Sequence, residues 1–132
     1  KIDEQVEVTV ANREEIPHYW GYKVDAERRT LGRLLKEKDF DLTIATSKYG
    51  VPFSDAADEI GRRWEKAKNT LLIFGAPTHG LYEIARLEGL ALDDVVDFVV
   101  NTIPMQGTET VRTEEAVMAT LAIFNIKFAS KV

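Results

Sequence analysis

Three short apolar runs, each ending in a polar loop and each followed by a helical pattern, constrain the fold of this chain most strongly. The runs end at Thr46, Phe74 and Val100, and the loops that follow them contain glycine or proline. Such runs are typical of strands covered on both faces. Because strands alternate with helices, the sequence predicts an α/β fold with a mostly parallel sheet and helices on both faces.

The helical segments can be bounded by their capping residues. Asp25 is a candidate N-cap for a first helix that runs to about Lys38, and Ser54 is a candidate N-cap for the second. A short third helix is expected near Leu81. Thr113 is a candidate N-cap for the last helix. So little of the surface of this helix is polar that it should be buried on more than one side.

The loop from Thr102 to Arg112 is the most informative of the three. It offers hydroxyl groups, the amide of Gln106, backbone N–H groups near Gly107 and a guanidinium group. Because parallel strands end at one edge of a sheet, the three loops should gather there and form a ligand cleft. The alternative is a plain polar connection, in which Pro104 and Gly107 serve only the turn.

Composition removes several classes of protein. The 132 residues suit a single domain, and the absence of cysteine excludes a disulfide framework, a thiolate nucleophile and a Cys-ligated metal site. Only His18 and His79 are present and they are far apart, which argues against a metal site. No apolar run approaches the roughly 20 residues of a membrane helix. We expect a soluble, cytoplasmic protein.

Charge is unevenly distributed although the net charge is only −5. Basic side chains concentrate in two helical regions. They are Lys23, Arg28, Arg29, Arg33, Lys36 and Lys38 in the first, and Arg62, Arg63, Lys66 and Lys68 in the second. A basic face could contact phosphates, and a solvated helix surface is the alternative. The aromatic cluster His18-Tyr19-Trp20-Gly21-Tyr22 either anchors a loop to the core or stacks on bases.

Common catalytic motifs are not found in the loops. The sequence GAPTHG, residues 75–80, is neither a P-loop nor a dinucleotide-binding fingerprint, and no G-x-S-x-G elbow is present. Glu114 and Glu115 could act as paired carboxylates, but acidic residues are also favoured in the first turn of a helix.

Two longer strings carry a resemblance to a known family. LIFGAPTHGLYEI, residues 72–84, and VNTIPMQGTETVRTEEA, residues 100–116, resemble the SPOUT superfamily of knotted RNA methyltransferases. Within it, the chain is most similar to the putative RNA methyltransferase family whose eukaryotic members methylate N3 of uridine in ribosomal RNA. The Tyr19–Tyr22 cluster and IATS, residues 44–47, extend the resemblance over most of the chain from about Tyr19 onward.

The resemblance implies a deep trefoil knot in the C-terminal part, with S-adenosyl-L-methionine bound inside it. It also implies a homodimer with active sites at the interface and an RNA substrate, most specifically ribosomal RNA. Residues 1–12 would be the end of a β-rich inserted domain, and residues 13–132 the C-terminal part of the SPOUT methyltransferase domain. The sequence would then be part of a longer protein.

The resemblance also implies residue roles. The cofactor-binding candidates lie in the three loops and are Thr46, Phe74, Gly75, Ala76, Gly80, Leu81, Thr102, Ile103, Pro104, Gln106, Gly107 and Thr108. Arg112 would contact RNA phosphate or orient the base, with a structural ion pair to Glu109 or Glu114 as the alternative. Glu114 is the candidate proton acceptor, and Asn101 a candidate base-orienting amide. A non-catalytic RNA-binding and dimerisation module, or a protein methyltransferase, remains an alternative function.

Overall fold

The computed structural model describes residues 23–37 and 39–128. The elements follow in the order α1 (Leu31–Glu37), β1 (Leu42–Pro52), α2 (Phe53–Lys66), β2 (Thr70–Ile73), α3 (Leu81–Leu87), α4 (Leu92–Val95), β3 (Phe98–Asn101) and α5 (Thr113–Phe128). The predicted inserted domain at residues 1–12 and the Tyr19–Tyr22 cluster lie outside the described residues.

The described strands form one small parallel sheet in the order β2-β1-β3. Ile44 of the central strand pairs with Leu72 on one side and with Phe98 on the other. Consecutive parallel strands are joined by crossovers that contain helices, as this connection requires. The predicted α/β class with a parallel sheet is confirmed for this part of the chain.

Helices cover both faces of the sheet because successive strand residues point to opposite sides. On one face Ala45, Ile73 and Val99 pack with Leu81 and Ala85 of α3, and residues of α1 and α4 join this cluster. On the other face a second cluster lies beneath α2 and α5. Its buried members are Leu42, Ile44, Ile60, Val100, Phe124 and Phe128. These two clusters fix the sheet between two helical layers.

Within the described part of the single chain, helix α5 is buried on one side, whereas the sequence predicts burial on more than one. Thr120, Phe124 and Phe128 are its buried residues, and the two phenylalanine rings contact each other and Trp64. The opposite side carries Met118, 73% exposed, and Ile126, 85% exposed. The apolar character of α5 therefore exceeds what the described core uses. None of the described helices combines the length and apolarity needed to cross a bilayer.

The first helix begins later than predicted. Residues 23–30 are not helical, so Asp25 is not an N-cap, and α1 starts at Leu31. The hydroxyl of Thr30 accepts the backbone N–H of Arg33 at 3.3 Å, as an N-cap does. The carboxylate of Glu88 accepts the N–H groups of Leu31 and Gly32. These contacts fix the start of α1 from a residue far away in sequence.

Strand β1 is longer than predicted and contains an outward excursion. Thr46 and Val51 both pair with Val100, so residues 47–50 leave the ladder and return to the same point. A Cβ on Gly50 would lie 2.7 Å from the carbonyl oxygen of Val99, so only glycine fits this close approach. The predicted loop is thus an interruption within a strand.

Helix α2 starts at a different residue from the one predicted, because β1 is longer than predicted. The strand runs to Pro52, which occupies the N-cap position, and the helix begins at Phe53 without a side-chain cap. Ser54 therefore lies inside the first turn and is not the N-cap. The short helix α4 begins at Leu92, between the third helix and β3.

Candidate functional site

The excursion of β1 and the loops that follow β2 and β3 line one cleft of about 860 Å³. Thr46 ends the first paired part of β1, before the excursion, Phe74 follows β2, and Asn101 ends β3. This volume lies within the roughly 300–1,000 Å³ that small-molecule sites occupy. The predicted gathering of three loops at one sheet edge is confirmed.

The cleft brings together eight of the fifteen predicted site residues. They are Thr46, Phe74, Gly75, Ala76, Gly80, Asn101, Ile103 and Gln106. The loop after β2 and the loop after β3 therefore form walls of the same cavity, although they are distant in sequence.

The other predicted residues lie outside the lining. Leu81 is 3% exposed because it packs in the core under α3, and Thr102 is buried with its hydroxyl 2.8 Å from that of Thr120. These two side chains support the loops from behind. The remaining five are exposed residues of the loop after β3 and of the start of α5. They are Pro104, Gly107, Thr108, Arg112 and Glu114.

Thr113 joins two walls of the cleft. Its hydroxyl donates to the carbonyl oxygen of Gly75 at 3.0 Å. The predicted N-cap role is wrong, because the side chain is directed to another loop and the backbone carbonyl of Arg112 accepts the first helical hydrogen bond from Ala116. The start of α5 is thereby fixed against the loop after β2.

Asn101 holds the other side of the cleft together. Its amide nitrogen Nδ2 donates to the carbonyl oxygen of Lys48 at 3.3 Å, and its Oδ1 accepts the N–H of Ile103 at 3.0 Å. Both ends of the amide are thus engaged with backbone. This geometry makes Asn101 a residue that positions the walls.

The loop between β3 and α5 is braced by its own side chains. The amide nitrogen of Gln106 donates to the carbonyl oxygens of Thr108 and Glu109, and the hydroxyl of Thr108 donates to the carbonyl oxygen of Thr110 at 2.7 Å. Met105 adopts a left-handed backbone conformation with φ of 56° and its side chain is 99% exposed. Such strained positions cluster at functional loops.

The far wall of the cleft is formed by α3 and α4 and was not predicted. The hydroxyl of Tyr82 donates to Oδ1 of Asp93 at 2.9 Å. Burial, together with this hydrogen bond, raises the pKa of Tyr82 above its ordinary value. Glu83 and Arg86 line the same wall, and Nδ1 of His79 lies 2.9 Å from Oε2 of Glu83.

Lys48 and Tyr49, on the excursion of β1, were also missed as site residues. Both line the cleft, and Nζ of Lys48 donates to the carbonyl oxygen of Glu109 at 3.3 Å. This contact connects the excursion to the loop after β3. An aromatic residue next to a lysine immediately after a predicted strand was the signal in the sequence.

Charges of both signs face the cleft. Lys48 and Arg86 are its cations, and Glu83, Asp93 and Glu109 contribute carboxylates. In the described chain, no three histidine, aspartate or glutamate side chains cluster as metal ligands.

Arg112 lies at the rim, with Nε 3.8 Å from a carboxylate oxygen of Glu115. The predicted alternative of a structural ion pair therefore involves Glu115 and neither Glu109 nor Glu114. The contact spans one helical turn on an exposed surface, where such pairs contribute little.

The two basic regions are partly neutralised by ion pairs. Arg29 and Arg33 both contact Glu37, and Arg63 contacts Asp97 at 3.2 Å.

Comparison with known proteins shows which family the chain resembles. Residues 2–124 match the family described as "Putative RNA methyltransferase". An uncharacterized protein of Halobacterium salinarum is 40% identical over 107 residues, which cover 72% of this chain and 38% of that protein.

Two animal proteins named 28S rRNA (uridine-N(3))-methyltransferase are also similar. The one from Drosophila melanogaster is 31% identical over 91% of this chain and 25% of its own length. The one from Homo sapiens is 35% identical over 79% of this chain and 28% of its own length. The chain spans between 25% and 40% of the length of the curated relatives that it matches.

Proposed function

Because the chain belongs to the putative RNA methyltransferase family, we propose that it forms the cofactor-binding part of an S-adenosyl-L-methionine-dependent enzyme that methylates N3 of a uridine in ribosomal RNA. The observation that carries the proposal is the cleft that the excursion of β1 and the loops after β2 and β3 line at one edge of the sheet. In open α/β sheets this edge is the usual ligand position. We also propose that the protein is located in the cytoplasm, together with its ribosomal RNA substrate. Cell fractionation tests this location.

The residues of the cleft fit the proposed methyl donor. Phe74 and Ile103 offer apolar surface for an adenine ring, and Gly75 and Ala76 bring backbone close with little side chain. A Cβ on Gly75 would lie 3.1 Å from the Cα of Gly80, so the loop closes tightly on itself. The carboxylates of the cleft offer acceptors for ribose hydroxyls and for an ammonium group. This combination of apolar surface, backbone and carboxylate acceptors suits a nucleoside that carries an amino acid.

When bound, S-adenosyl-L-methionine supplies a methyl group on a positively charged sulfur. The residues of the chain then have to hold the uracil nitrogen in line with the methyl–sulfur bond and accept one proton. Positioning contributes most of the rate acceleration. We assign the ring contacts to Ile103 and to the backbone at Phe74–Ala76 and Thr102–Pro104. Gly80 and Gln106, which line the cleft, are assigned to the remaining contacts, and Thr46 to a weaker one. Gly107 and Thr108 lie outside the lining, so for them we propose a role in shaping the loop that carries Gln106. Leu81 and the Thr102 hydroxyl act from the core, by holding these loops in place.

On the substrate side, we assign the RNA phosphate or the base to Arg112, whose exposed guanidinium group suits such oxygens. Asn101 positions Lys48 and Ile103, and its second N–H and the second lone pair of its Oδ1 are assigned to orienting the base. For the proton, the lining favours Glu109 over Glu114, because Glu109 borders the cleft and Glu114 does not. Comparing Glu109→Gln with Glu114→Gln in a methyl-transfer assay separates these two candidates.

We further propose the knotted SPOUT arrangement and a homodimer. The parallel order β2-β1-β3, with a ligand cleft at the carboxyl edge, is compatible with that class. The stripe Met118, Ala122 and Ile126 is spaced by four residues along α5 and is exposed. A second copy of the chain that covered this stripe would use the apolar surface that the described core leaves open.

The methyl-transfer test uses the full-length protein, methyl-labelled S-adenosyl-L-methionine and ribosomal RNA from cells that lack the protein. We expect label in RNA, recovered as 3-methyluridine, and loss of that label in Arg112→Ala with cofactor binding retained. Label in protein instead of RNA would support a protein methyltransferase. RNA binding without any label would support a non-catalytic module.

A further inference from the structure

Tyr49 is an exposed aromatic residue at the edge of the cleft. Its side chain is on the β1 excursion and the residue is 74% exposed, yet it also lines the cleft. Tyrosine has a large apolar ring with a polar tip, and exposed rings of this kind are enriched where proteins bind partners. The position of this ring next to the cleft makes it a candidate for substrate contact.

The backbone beneath Tyr49 is held in place, so its exposure is not that of a loose loop. Ser47 Oγ accepts the N–H of Tyr49 at 3.1 Å, and Asn101 Nδ2 donates to the carbonyl oxygen of Lys48. On the other side, Gly50 lies directly against the backbone of Val99 and Val100. The ring is therefore presented by a fixed turn, which lowers the entropic cost of binding through it.

A cation accompanies the ring. Nζ of Lys48 lies 5.3 Å from the centroid of the Tyr49 ring and also donates to the carbonyl oxygen of Glu109. An ammonium group has three donors, so this contact leaves capacity for a phosphate. An aromatic face beside a cation is the combination with which proteins bind single-stranded nucleic acid. A duplex would not offer an unstacked base to this ring.

We propose that Tyr49 stacks on an unpaired RNA base next to the nucleotide that enters the cleft, and that Lys48 binds the phosphate between the two. This inference rests on the proposed function and adds to it a site for the flanking nucleotide. It commits to single-stranded RNA, because a charged phosphate and a flat base match the two side chains on the excursion.

The test measures binding of a fluorescein-labelled single-stranded RNA oligonucleotide to the full-length protein by anisotropy. We expect Tyr49→Ala to weaken binding about tenfold or more, and Tyr49→Phe and Tyr49→Trp to retain it because both keep a stacking face. The matched control is Leu87→Ala, which truncates another exposed apolar side chain, 72% exposed, outside the cleft lining. This control should bind like the wild type.

A second arm tests the phosphate contact. Lys48→Met should lower the slope of log affinity against log salt by about 0.7, the value for one phosphate on a single strand. Unchanged salt dependence would overturn the assignment to Lys48.

The same preparations are titrated with S-adenosylhomocysteine by calorimetry. Binding of S-adenosylhomocysteine that is equal in wild type and Tyr49→Ala, together with the RNA defect, supports the inference. RNA binding by Tyr49→Ala at wild-type strength overturns it and leaves the proposed function intact. A wild-type protein that binds RNA through Tyr49 but binds no S-adenosylhomocysteine contradicts the proposed function instead.

Discussion

The hydroxyl of Thr113 donates to the carbonyl oxygen of Gly75 at 3.0 Å and joins two walls of the cleft that are 38 residues apart in sequence. Gly75 belongs to the loop after β2, and Thr113 is the first residue of α5. The cleft is therefore closed by a side-chain to backbone contact in addition to the packing of α5 on the sheet. If the cleft holds the methyl donor, this contact should affect both stability and binding.

Thr113→Val keeps the shape of the side chain and removes the hydroxyl donor. We expect a loss of about 1 kcal/mol in the free energy of unfolding and weaker binding of S-adenosylhomocysteine, because the loop at Gly75 loses its tether. Thr113→Ser keeps the donor and should remain close to the wild type. Denaturant unfolding and calorimetry provide the two readouts. Equal affinity in Thr113→Val and wild type would mean that the tether does not shape the site.

Thr120→Val should destabilise the protein through a buried hydroxyl. The hydroxyls of Thr102 and Thr120 lie 2.8 Å apart in the core, so the single substitution leaves that of Thr102 without its partner. The expected cost is about 1–3 kcal/mol. The double variant Thr102→Val with Thr120→Val should cost less than the sum of the two singles. Additive costs in chemical denaturation would count against this pair.

Gly50→Ala should displace the excursion of β1. The added Cβ would meet the carbonyl oxygen of Val99 at 2.7 Å and the backbone of Val100 at 2.8 Å, and backbone cannot move aside cheaply. Overpacking of this kind costs about 1–3 kcal/mol. Gly107→Ala is the matched control, because nothing lies within 4 Å of its added Cβ. Thermal unfolding should separate the two, and equal midpoints would contradict the described close approach.

The stability of the protein should depend on Tyr82 at alkaline pH. Burial and the hydrogen bond to Asp93 raise the pKa of Tyr82 above the ordinary value of 10.0. The unfolded chain therefore loses this proton first as pH rises. The stability that comes from the raised pKa is fully present below about pH 10 and is lost as pH increases through the folded pKa. Tyr82→Phe should show a shallower alkaline decline in unfolding free energy, and an identical decline would refute the assignment.

Met118→Glu should disrupt a homodimer that forms through α5. Met118 is 73% exposed and is followed at the same side of the helix by Ala122 and by Ile126, which is 85% exposed. A carboxylate at an apolar contact is costly to bury, so the full-length protein should shift from dimer to monomer. Leu87→Glu alters an equally exposed side chain outside α5 and should remain dimeric. Light scattering distinguishes these results, and a wild-type monomer at micromolar concentration would exclude the dimer.

Much of the architecture was readable from the sequence because periodicity reports burial directly. The runs that end near Thr46, Phe74 and Val100 are the strands of the sheet, and their loops meet at one edge. The strings at residues 72–84 and 100–116 predicted the putative RNA methyltransferase family, and the family match over residues 2–124 confirms it.

Contacts between distant residues were not readable. The start of α1 depends on the carboxylate of Glu88, and the hydroxyl of Thr113 is directed to Gly75 rather than to its own helix. The excursion in β1 depends on how closely Gly50 approaches β3. The far wall at Tyr82 and Asp93 was missed because a short helix carries too few residues for its cleft-facing side to be recognised from spacing alone.

The most direct test of the account is calorimetric titration of the full-length protein with S-adenosylhomocysteine, in wild type, Ala76→Trp and Ser54→Trp. Ala76 is an exposed residue of the cleft lining, so an indole there should block the site, whereas Ser54 is exposed on α2 outside the lining. We expect one ligand per chain in wild type and in Ser54→Trp, and none in Ala76→Trp. Absence of binding in wild type at millimolar ligand, or undiminished binding in Ala76→Trp, would contradict the claim that this cleft holds the methyl donor.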